Sequence, residues 1–364
     1  MIQRFILGLV IALISITAQA QSSWTAWIYA ADGSVVRVSS QGAIIDAYTL
    51  PLNPAFNAYG PSALVSPNGR FIAYTTADTI TGLGNQQLFV YDTQADIIRF
   101  TYDLTGVSAE DLSFAQYPHS TAFDESAQTL AFGLVREGTW ELVVANLATE
   151  SLSGGAPLTA ADAELEGGNA LPVPEIVSGN AVRFFLLTAG SSFREYPAYL
   201  WTPGQAVSEV GASSPYSAVL PGSGEIATPA HDESLESAAT PEGSTLAYNT
   251  IYLVSNGRSL FLHDPNIDIA HVWWIGGGSQ LLLQGFDSAL GSDVLKVYGR
   301  DGTLTGQFSG ALSDIHGTPQ GFAGLFPSGG GLALAHVETG SGTFTPTTIW
   351  TTADASVRLI HVQP

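Results

Sequence analysis

One hydrophobic pattern recurs along most of the chain: a short apolar strand, a turn built on Pro, Asp, Asn or Gly, and a second apolar strand. In chain order its copies are Pro61 to Thr76 (PSALVSPNGRFIAYTT), Ser120 to Leu134, Pro174 to Leu187, Ser237 to Thr250 (SAATPEGSTLAYNT), His271 to Phe286 (HVWWIGGGSQLLLQGF) and Gly321 to Val337. The turns have a local cause: Pro presets φ and Gly accepts a positive φ, as in Pro67-Asn68-Gly69 and Pro241-Glu242-Gly243. The strands are apolar on both faces, which suits sheets packed between two neighbours. Aligned on Ile72, Leu130, Phe184, Leu246, Leu282 and Leu332, the copies lie 58, 54, 62, 36 and 50 residues apart.

A second hairpin follows each copy: Leu88 to Phe100, Glu141 to Leu152, Ala198 to Val210, Ser259 to Ile269, Val294 to Phe308 and Thr347 to Val362. Two hairpins make a four-stranded antiparallel unit, and units repeating at this period predict an all-β fold, a β-propeller. A further three-strand unit, Trp27 to Ala31, Val35 to Ser39 and Ala43 to Leu50, comes first and has no evident first strand. Counted as a blade it gives seven; counted as completing another blade it gives six. Seven is the expectation. The unit around Leu246 is compressed, and its fourth strand is the least defined.

Ser66 to Tyr74 (SPNGRFIAY) and Thr240 to Tyr248 (TPEGSTLAY) resemble the S-P-D-G-x-x-[IL]-A-[FY] segment of the TolB-like, WD-repeat-like bacterial propellers, and Val90 to Thr101 resembles the hairpin that follows it there. The resemblance implies a fold and export. It implies no single activity, because propellers host binders, lyases, hydrolases and scaffolds alike.

Export is also read from the N-terminus. Arg4 supplies a positive start, Phe5 to Ile16 an apolar run, and Ala18-Gln19-Ala20 a small-x-small cleavage site. The run is short for a bilayer span, which takes about 20 apolar residues. The expected organisation is a signal peptide over 1–20 and a single propeller domain over 21–364, exported to a periplasm or beyond the cell, with no membrane span after cleavage.

Composition narrows the partners. The net charge is -21, from 32 acidic against 11 basic residues, and Lys296 is the only lysine. Such a chain repels nucleic acid and anionic surfaces. With no cysteine there is no disulfide, thiolate metal site or Cys nucleophile. No G-x-S-x-G, G-x-x-x-x-G-K-[ST] or H-E-x-x-H motif occurs.

The histidines offer the remaining chemistry. His119, His231, His271 and His316 fall in or near the connectors that enter the inner strands, and Asp232 lies beside His231. Imidazoles and carboxylates converging on a channel mouth could hold a divalent cation. The repeat loosely resembles that of propeller-type oligogalacturonate lyases, which implies such a metal. Polar connectors with solvated or backbone-bonded histidines are the plainer reading and the preferred one. His336 and His361 alternate with apolar residues and read as packing residues. Adjacent Trp273 and Trp274 must point to opposite faces of their strand. No motif calls for a cofactor.

The expectation is therefore a monomeric binding or scaffold module for a protein, peptide or envelope glycan. A metal-dependent carbohydrate lyase or hydrolase is the alternative, and a structural envelope protein the third reading.

Overall fold

The structure is a computed structural model. It describes residues 23–364 apart from 31, 52–55, 58–59, 62, 77–86, 108–122, 125, 127, 166–169, 189–194, 233–247, 256, 309–311 and 341–343. The signal segment and His119 lie outside the described residues.

Seven four-stranded antiparallel sheets follow one another around the ring. Blade 1 takes Thr25–Tyr29, Ser34–Ser39 and Ile44–Thr49 from the N-terminal end, and its innermost strand, Arg358–Gln363, from the C-terminal end. Blade 2 runs Ala63–Val65, Phe71–Thr76, Gln87–Asp92 and Ile97–Asp103. In blade 3, Thr129–Arg136 and Thr139–Asn146 are flanked outside by two short strands, Ser151–Leu152 and Leu158–Thr159. Its inner position is marked by a bridge from Phe123 to Leu130. Blade 4 is Ala170–Ser178, Ala181–Thr188, Tyr196–Trp201 and Ser208–Ser213. Blade 5 is Ala218–Val219, Ile226–Ala230, Thr250–Val254 and Arg258–His263. Blade 6 is Ile267–Ile275, Gln280–Asp287, Ser292–Gly299 and Leu304–Phe308. Blade 7 is Ser313–Thr318, Gly321–Ser328, Gly331–Glu338 and Thr347–Thr352.

The blade count of seven holds, and three assignments change. The strand missing from the first unit is Arg358–Gln363, read from sequence as the end of the last hairpin. In blade 7, Gly321 to Val337 forms the second and third strands, because Ser313–Thr318 already occupies the inner position. In blade 5 the inner hairpin is Ala218–Val219 with Ile226–Ala230. Thr250–Val254 and Arg258–His263 then follow as third and fourth strands, which removes the apparent compression. The segment TPEGSTLAY lies almost wholly outside the described residues.

The core lies between blades. Trp27, Tyr29, Ile72 and Tyr74 join blades 1 and 2, and Trp140 packs with Phe184 and Trp201 between blades 3 and 4. Trp24, Ile28 and Leu334 join blades 7 and 1. Trp273 and Trp274 point to opposite faces as expected, one filling the core between blades 6 and 7 and the other that between 5 and 6.

The outermost strand is bulged in six blades, with Ile45, Arg99, Val210, Phe261, Thr305 or Ile349 as the extra residue opposite the third strand. A bulge twists the free edge and spoils it as a template for pairing with another chain.

Antiparallel order also sorts the loops. First-to-second and third-to-fourth turns share one face of the ring, here the turn face. Second-to-third loops and blade-to-blade connectors share the other, here the connector face.

Candidate functional site

The sequence-selected residues are dispersed. His231 and Asp232 follow the second strand of blade 5, on the connector face. The Asp232 carboxylate accepts the Tyr252 hydroxyl proton, and the Arg258 guanidinium lies 3.8 Å over the Tyr252 ring and 2.8 Å from Glu195 Oε1. His271 stands within the inner strand of blade 6. Its ring meets Tyr216 edge-on at 5.1 Å and Trp273 at 5.6 Å, and burial holds it below the ordinary imidazole range.

His316 lies within the inner strand of blade 7. Its Nε2 is 3.1 Å from the Leu359 carbonyl oxygen. A carbonyl can only accept, so Nε2 carries the hydrogen. Burial lowers this histidine to about 4. Among the described residues, no three His, Asp or Glu side chains come together as a metal site. His316 is thus committed to a neighbouring backbone.

His336 and His361 pack between strands, as the alternation predicts. His336 is 2.9 Å from Thr318 Oγ1 and 5.1 Å from the Trp24 ring.

Charge is more ordered than the histidines. Every Lys and Arg side chain among the described residues is in an ion pair. Lys296, 8% exposed, sits between Asp287 Oδ2 at 2.8 Å and Asp264 Oδ2 at 3.1 Å. Asp92 is fully buried between Arg70 and Arg99 and also accepts the amides of Gln94 and Ala95. These bonds to the ionised form outweigh the cost of burial and hold its carboxyl below the usual range.

Glu175 bulges from the inner strand of blade 4 and is bound by Arg183 Nε at 3.0 Å and by the Ser213 hydroxyl. Ser217 and Thr228 extend this buried polar chain into blade 5. Burial raises the Glu175 carboxyl above its ordinary value despite the arginine. Sequence reasoning passed over this network, although a lone acid in the apolar run PVPEIV was its signal.

By contrast, Asp32, Glu137, Asp162, Asp293 and Asp354 are exposed at or beside connector-face loops and have no ion-pair partner among the described residues. The turn face holds a depression of about 570 Å³ between blades 6 and 7, lined by Gly276, Ser279, Gln280, Pro319, Gln320, Glu338, Thr339 and Gly340. Its walls are tied together by Thr339 Oγ1, which donates to Gln280 Oε1 at 2.5 Å. Hydroxyls, amides and one carboxylate can meet a neutral polar group, and no cation lines it among the described residues. Scattered turn residues gave no sequence signal for it.

No family model matches the chain, and no curated protein matches it. Solved structures do. It is similar to the β-propeller domain of the Trilobed protease from Pyrococcus furiosus, at 13% identity and TM-score 0.52, covering 82% of this chain and 86% of that one. It is similar to a prolyl endopeptidase at 14% identity and TM-score 0.56, covering 93% of this chain and 49% of that one. For TolB from Acinetobacter baumannii the values are 14% and 0.43, with 78% of this chain and 62% of that one covered. The chain therefore spans 62% of TolB and about half of the endopeptidase. At such identities the similarity is one of fold. The Pyrococcus domain has an open velcro topology; here Thr25–Tyr29 and Arg358–Gln363 pair within blade 1.

Proposed function

We propose that this chain is an exported propeller that acts as a binding or scaffold module, and that it engages a protein, peptide or glycan partner without net negative charge through its connector face. One observation carries the reading. The described cations are all neutralised by acids, while exposed carboxylates without an ion pair project from the connector face (Asp32, Glu137, Asp162, Asp293 and Asp354), as others such as Asp301 and Glu338 do from the turn face. A field of one sign steers partners of opposite or no charge and rejects anions. Export rests on the residues before Gln21.

The test is recovery of partners from an envelope extract by the tagged mature protein across a salt series. A partner whose retention weakens with salt, and weakens further in the Glu137→Lys/Asp354→Lys variant, supports the reading. Recovery of no partner at any salt sinks it in favour of a structural role. Retention indifferent to both changes moves the site off this face.

A further inference from the structure

Blade 1 is the one blade completed from the far end of the chain. Its inner strand, Arg358–Gln363, is held on one side by ladder pairing to Thr25–Tyr29, with a bulge at Ile360 between the Trp27 and Ile28 pairs. On the other side two side chains of blade 7 grip a single residue. Leu359 N–H donates to Asp314 Oδ2 at 3.2 Å, and the Leu359 carbonyl accepts from His316 Nε2 at 3.1 Å. Arg358 adds a contact to Asp314 at 3.4 Å. His361, in the same strand and opposite Trp27, is also buried, and its Nε2 meets no partner among the described residues. One neutral imidazole thus ties the strand to blade 7, and a second lies buried within the strand itself.

We propose that Arg358–Gln363 is an acid-sensitive clasp, the first element of the ring to release in mild acid, and that His316 and His361 set its sensitivity.

The geometry gives the mechanism. Releasing the strand exposes both imidazoles to water, where each takes a proton readily. In the closed ring a proton on either must sit in a buried site. The surrounding groups offer little relief. Thr25–Tyr29 contributes only Tyr29, and Ala63–Val65 and Gly321–Ser328 contribute no titratable group. Arg70, in the turn after Ala63–Val65, is spent on Asp92 at 2.8 Å. Among the described residues Asp314 is the one carboxylate at hand, and it is occupied by Arg358 and the Leu359 amide. Burial raises Asp314, so its titration opposes release as pH falls. One opposing group against two leaves net proton uptake on opening, and uptake drives opening as pH drops.

Hydrogen exchange on the full mature chain tests this, with Ile267–Ile275, the inner strand of blade 6, as internal reference at each pH. From about pH 7 to about pH 4.5, protection of 358–363 should fall at least about 100-fold relative to that reference, the scale of one net linked proton once Asp314 opposes the two histidines. The Asn or Gln variants of His316 and His361, made singly, should each flatten that fall. A parallel change in both segments, or an unaltered slope in both variants, overturns the proposal. If the variants fail to fold, a circular permutant decides. Gln363 and Thr25 are cross-strand partners, so a two-residue turn can join them, with new ends at Asp354. Made covalently continuous with its blade, the strand should lose its selective acid release; retention of that release also overturns the proposal.

Discussion

Lys296 and Asp287 form an ion pair of 2.8 Å in which both side chains are under one-tenth exposed, and this lysine is the only one in the chain. Asp264, from the connector between blades 5 and 6, completes the site at 3.1 Å. The pair ties a connector to the middle of a blade. In the folded mature protein, amine-reactive reagents should label the α-amino group and spare Lys296, which becomes reactive in denaturant. Peptide mapping by mass spectrometry reads this directly. Rapid native labelling of Lys296 would contradict the burial.

Gly133 is set by its neighbour. A Cβ there would come within 1.6 Å of the Pro172 carbonyl oxygen, on the facing inner strand of blade 4. Gly133→Ala should therefore destabilise the fold by about 1–3 kcal/mol or more, the scale of overpacking a rigid core. Gly257→Ala, where nothing lies within 4 Å and φ is ordinary, should be close to neutral. Denaturant midpoints of the two variants make the comparison.

Glu175 and Arg183 should behave as a buried pair. Removing only the acid, as in Glu175→Leu, strands Arg183 and should cost about 3–5 kcal/mol. Replacing both with apolar residues of similar size should cost less than the single change. A double-mutant cycle checks the order; a double variant worse than Glu175→Leu would show that the pair itself stabilises the blade junction.

Acid stability follows from the same buried groups. His316 at about 4 and His361 at about 3 lie below the ordinary histidine value, so the unfolded chain binds their protons first. Stability is complete above about pH 6.5 and declines as pH falls toward those folded values. Glu175 and Asp314, both raised by burial, act in the opposite sense. Urea midpoints at several pH values should fall between about pH 6.5 and pH 4, and His361→Gln should flatten the fall.

Much of the ring was legible in the sequence because its hairpins are local. In SPNGRFIAY, Ser66 Oγ accepts the Phe71 amide, Asn68 accepts the Arg70 amide, and Gly69 adopts φ 71°, so a few residues carry their own turn. Blade 5 was misread because its inner hairpin, Ala218–Val219 with Ile226–Ala230, is short and weakly patterned, while TPEGSTLAY carried the stronger signal. The candidate site was less legible. Spacing located His271 and His316 near the inner strands, but not the direction each ring takes, which depends on the blade beside it.

The sequence alone determined the repeat and the strand type, because alternation and turn chemistry act over a few neighbouring residues, while the choice between six and seven blades waited on the pairing of the last strand. Tertiary structure decided how the ring closes. Thr25 pairs with Gln363 across almost the whole chain, and no local pattern distinguishes that strand from the last member of a hairpin. It also decided what the polar residues do. Whether an acid is spent on a cation or left to face solvent depends on which blades meet, as Asp287 beside Lys296 and exposed Asp293 in the same blade show.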